Sequence, residues 1–143
     1  ARRDTLLSLL GLCQPLLRPH LQFQQLLAFF APIAALAGPN CNQAACLLLP
    51  VRLCSVLRSW SADIPSDAVM PVLQLLRGFL QEACPKAVRL AALGPLRSLL
   101  DRFSDHEAWV EAQGPFIDGC LALLGSLKSP EVQWRCLNLV HLF

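Results

Sequence analysis

The chain has 143 residues, of which 55% are hydrophobic and 15% charged, with a formal net charge of +2. A charge so near neutral offers no footprint for direct binding of nucleic acid or of an anionic membrane surface, and so little charge beside so much apolar surface departs from the composition of a free-standing soluble domain. Seven cysteines, an odd number with no Cys-x-x-Cys spacing, argue against zinc and against a paired disulfide framework, and predict reduced thiols used as small hydrophobes in a reducing compartment.

In chain order, the first hairpin is expected over residues 4–37. Its first helix spans 4–17 with Asp4 as N-cap, and its second spans 21–37, with Pro15 and Pro32 kinking them or marking their ends. The charge-free stretch 19–51 is not a membrane span: its apolar part, 26–37, is shorter than the roughly 20 residues a spanning helix needs, and it contains Pro32. The second hairpin covers 43–83, with a helix to Trp60, a polar loop over 61–66, and a helix capped by Asp67. Cys84 and Pro85 turn the chain into the third hairpin, 86–127. Pro95 bends its first helix, a polar connection runs over 104–113, and Pro115 occupies the first turn of its second helix. A lone helix follows over 130–143.

One apolar template, i, i+4, i+7, i+8, i+11, unites these helices. It reads Leu49, Leu53, Val56, Leu57, Trp60; Val72, Leu76, Phe79, Leu80, Ala83; Ala92, Leu96, Leu99, Leu100, Phe103; Phe116, Cys120, Leu123, Leu124, Leu127; and Val132, Cys136, Leu139, Val140, Phe143. Alternate sets start roughly forty residues apart, the period of stacked helical hairpins. With no useful strand-period alternation, the expected fold is all-α: a single α-solenoid segment, 1–143, of antiparallel helix hairpins, about three and a half repeats long. An apolar helical pattern that runs to Phe143 with no capping signal predicts that the segment belongs to a longer array, with neighbouring repeats at both ends.

The stretch Lys86-Ala87-Val88-Arg89-Leu90-Ala91-Ala92-Leu93-Gly94-Pro95-Leu96 resembles the first (A) helix of a HEAT repeat, with its Val-Arg pair ahead of small residues and a mid-helix proline. Ser98 to Phe103, Pro115-Phe116-Ile117, and Pro130-Glu131-Val132-Gln133-Trp134-Arg135 are similar to the middle of an importin-β-family karyopherin, most like the importin-eleven type. The likeness extends over 69–143; before that only the repeat pattern carries it. Pro85-Lys86 stands where many HEAT repeats place an Asp, and no acidic loop of the kind some karyopherins use against Ran is visible.

The resemblance implies a nuclear transport receptor that shuttles between nucleus and cytoplasm. It would wrap protein cargo on its second-helix (B) side, respond to Ran-GTP by changing curvature, and bind phenylalanine-glycine nucleoporins between A helices. A static HEAT scaffold, of the phosphatase-subunit or chromosome-organising type, is the alternative. For partner binding, Gln74, Arg77 and Gln81 form a polar stripe opposite the template, joined by Asp118 on the following B helix; a solvated face explains the same spacing. Trp60 reads as core, whereas Trp109, in the polar connection, either seals its hairpin or faces a partner. Lys86, Arg89 and Arg97 recognise an acidic cargo segment or pair with Asp101 and Glu82.

No catalytic constellation is found. Asp101, Asp105, Glu107 and Glu111 read as a solvated loop without a nucleophile or a glycine-rich phosphate cradle. His20, His106 and His141 are isolated, so neither a metal nor a cofactor is expected, and no enzymatic role.

Overall fold

The computed structural model describes residues 2–35, 44–103 and 107–141. Among them are eight α-helices and no strand: α1 (Arg2–Leu12), α2 (Gln14–Leu17), α3 (Phe23–Ala34), α4 (Ala44–Ser59), α5 (Val69–Leu80), α6 (Lys86–Phe103), α7 (Glu107–Ser126) and α8 (Pro130–Val140). Helix α4 packs on α1 and on α6, and α8 lies against α6. A second row consists of α5 packed on α3 and on α7. The rows meet where α3 touches α4, α6 touches α5 and α7, and α7 touches α8.

The apolar template explains this packing. Leu49, Leu53, Val56 and Leu57 in α4 and Trp60 just past its end are all buried, as are Val72, Leu76, Phe79 and Leu80 in α5 and Ala92, Leu96, Leu99 and Leu100 in α6. One cluster of buried side chains runs from Leu7 to Leu139, and a smaller one joins Leu123 and Leu127 to Cys136. Side-chain bonds to backbone lock neighbouring helices together. The Trp60 indole donates from Nε1 to the Leu10 carbonyl at 2.8 Å, Arg102 donates to the Ser61 carbonyl at 2.6 Å, and Lys86 donates to the Ser126 carbonyl at 2.6 Å.

Several local expectations are corrected. The first helix is two pieces, α1 and α2, because the chain breaks at Cys13 and Pro15 takes a place in the first turn of α2, where its missing N–H costs nothing. Asp4 is not an N-cap. It lies inside α1 and pairs with Arg52 of α4 at 3.5 Å. Asp67 does not cap α5: Ser66–Ala68 is a 3-10 turn, and the Asp67 carboxylate accepts from Gln24 Nε2 of α3 at 3.3 Å.

The largest difference concerns α7. It starts at Glu107, so most of the expected polar connection is helical and Pro115 lies in the helix interior. Trp109 supplies the reason, being fully buried and packed on Phe116, two turns later, with ring centroids 5.8 Å apart. Burying an indole contributes several kcal/mol by area, about enough to offset the roughly 3 kcal/mol that an interior proline costs.

Candidate functional site

The residues expected to form the polar stripe fall on α5, just past its end, and on α7. Gln74 and Arg77 are exposed on α5, and Asp118 is exposed on α7. The two helices lie close at Gly119, where an added Cβ would stand 3.1 Å from the Leu80 Cβ. Gln81 and Asp118 each adjoin one of these contact residues, so the fold brings the two ends of the stripe to the same helix crossing. Gln81, however, is not on the helix. Helix α5 ends at Leu80, and Gln81 turns extended, with ψ 145°, leading into the turn closed by the Cys84 N–H donating to the Gln81 carbonyl at 2.9 Å.

Trp109 does not join this surface: its burial makes it a core residue that seals α7 against its neighbours. Trp60 is core, as its template position predicts, and Trp134 on α8 is the exposed indole, with 64% of its surface accessible.

Besides Arg102, which is bonded to the Ser61 carbonyl, the cations of α6 fall into three environments. Lys86 is spent on the end of α7. Arg89 is 6% exposed and crosses to α7, where Nη2 donates to the Gly119 carbonyl over 3.4 Å while Nε has no partner. It neighbours the thiols of Cys84, Cys120 and Cys136. Burial raises all three, Cys120 to about 12, and the guanidinium draws them only partly back. Cys54 on α4 is likewise raised by burial to about 12. None of the four is in a disulfide, and burial keeps them protonated at neutral pH, so they are poor nucleophiles. Cys41 lies outside the described residues.

Arg97, the third cation, is exposed and forms no pair with Asp101. Both line a cavity of about 620 Å³ that crosses α4, α6 and α8. Sequence reasoning missed this cavity, since its walls come from three helices roughly forty residues apart. Its only legible signal was the Gly94-Pro95 pair, which leaves α6 without a side chain at one position and without a backbone N–H at the next.

Among the described residues no group of His, Cys, Asp and Glu is placed to hold a metal ion, and no helix is long and apolar enough to cross a membrane. Asp105 and His106 lie outside the described residues. No family model, curated protein or solved structure matches the chain. Two surfaces therefore stand as candidates on geometry alone: the polar stripe on α5 and α7, and the cavity across α4, α6 and α8.

Proposed function

We propose that the chain is a segment of a HEAT-type α-solenoid acting as a nuclear transport receptor of the importin-β type. It binds protein cargo along the α5–α7 face, through Gln74, Arg77, Gln81 and Asp118, and releases or accepts that cargo under Ran-GTP. The observation that carries this reading is the alternation of helices between two rows, each helix packed on its counterpart about one repeat away. In such an array each unit touches chiefly its neighbours, so small rotations add up along the chain into a change of curvature. Phenylalanine-glycine nucleoporins would find Trp134 on α8 as their aromatic contact, since Trp60 and Trp109 are enclosed. The protein would shuttle between nucleus and cytoplasm.

Affinity capture from cell extract by the full-length protein, with and without Ran loaded with GTP, tests this reading. A transport receptor exchanges a defined set of captured proteins when Ran-GTP is added. A captured set indifferent to Ran-GTP overturns the reading and leaves a static HEAT scaffold.

A further inference from the structure

The cavity across α4, α6 and α8 has an apolar floor and a basic rim. Leu90, Leu93, Gly94 and Pro95 of α6, with Val132 and Leu139 of α8, form the floor. The rim carries Arg58 of α4, Arg97 of α6 and Arg135 of α8 against a single carboxylate, Asp101.

Three observations define what fits there. First, Arg58 and Arg97 are exposed and make no hydrogen bond or ion pair among the described residues, although Asp101 lies one turn from Arg97 on the same helix. Arg135 is held by Glu131 at 2.8 Å, which leaves two guanidiniums uncommitted beside the floor. Second, Arg58 reaches across to α6 where α6 has no side chain: its Cδ lies 3.4 Å from the place a Cβ on Gly94 would take. The charge therefore sits directly above apolar surface. Third, Pro95 and Ala91 both line the cavity, and because Pro95 has no N–H the helical bond from residue 95 to the Ala91 carbonyl is missing there. The volume suits a few side chains of a peptide, falling within the roughly 300–1,000 Å³ of ligand sites.

We propose that this groove binds an acidic peptide segment in which carboxylates alternate with apolar side chains. Carboxylates pair with Arg58 and Arg97, whose planar forks suit bidentate contact, and the apolar side chains settle on Leu93, Pro95 and Leu139. The groove lies in the α1–α4–α6 row, apart from the α5–α7 stripe, and its chemistry does not depend on any response to Ran.

Fluorescence anisotropy of a short fluorescein-labelled peptide alternating glutamate with leucine, titrated with the full chain, tests the proposal. Saturable binding is expected, weakened by added salt and about tenfold by the double substitution Arg58→Glu, Arg97→Glu. Arg3→Glu on α1, outside the groove, leaves it unchanged. Both rim arginines are exposed and unbonded, so the double variant is expected to melt with the wild type. Should it not, Arg58→Gln with Arg97→Gln gives the same comparison with a smaller loss. The proposal fails if binding does not saturate, if the rim variants bind as tightly as the wild type, or if Arg3→Glu weakens binding as much. It fails equally if a neutral glycine-phenylalanine peptide binds as well, or if oligouridylate displaces the probe at matched charge, which would indicate plain anion attraction.

Discussion

Two helical glycines illustrate how a single position decides between propensity and packing. A Cβ added at Gly78 of α5 would meet nothing within 4 Å, so Gly78→Ala is expected to stabilise the chain by about 0.5–1 kcal/mol through the lower entropy of the unfolded state. The same change at Gly119 of α7 meets the Leu80 Cβ at 3.1 Å and the Leu80 carbonyl at 3.6 Å. There α5 and α7 must separate slightly, and the propensity gain is expected to vanish or reverse. Urea unfolding of the two variants side by side checks this, and a rise in midpoint of equal size for both would show that the α5–α7 contact yields freely. Arg89 belongs to the same scale. A buried guanidinium with one long bond and no carboxylate is costly, and what it contributes is a polar link between α6 and α7 that no apolar side chain would provide.

At the level of elements, the sequence was legible wherever an apolar stripe carried the helix and illegible where a polar stretch hid one. The faces of α4, α5 and α6 were readable because period 3.6 burial is a direct consequence of helix geometry, except at the last template positions, where Ala83 is exposed beyond the end of α5 and Phe103 is half-buried. The start of α7 was not, since Pro115 and the acidic run before it are ordinary signs of a loop. Only the Trp109–Phe116 contact, a tertiary fact, outweighs them. Caps failed for a related reason: Asp4 and Asp67 bond to side chains of other helices, a choice that local pattern does not encode. Of the candidate site, the exposed positions Gln74, Arg77 and Asp118 were readable as the wet side of their helices, whereas the groove depends on packing among three helices. Pro95 links the two kinds of information. Its pyrrolidine ring is buried in α6 and removes the donor for Ala91. Pro95→Ala restores that hydrogen bond, and the helix is expected to straighten with a larger effect on curvature than on stability. Small-angle scattering of the full-length protein would report it, and an unchanged profile would remove any role for this proline in setting shape.

Over the whole molecule, four buried thiols tie stability to alkaline pH. In the folded chain burial raises Cys54, Cys84, Cys120 and Cys136 above the ordinary value of 9.0, Cys54 and Cys120 to about 12, so above pH 9 the folded state keeps protons that the unfolded chain releases. Stability from this source is complete below pH 9 and declines as pH rises toward about 12. Urea midpoints at neutral and alkaline pH are expected to fall more steeply for the wild type than for the Cys54→Ala, Cys120→Ala double variant. Parallel profiles would place the alkaline loss in other groups.

The side-chain ties share a further property: four join residues 49, 50, 43 and 41 positions apart, about one repeat, and two, 40 and 30 positions apart, close the α6–α7 pair on itself. A tether pulled from both termini would therefore meet a ladder of short bonds loaded one after another. Such a chain is expected to lengthen in steps under tension, each step the breaking of one rung.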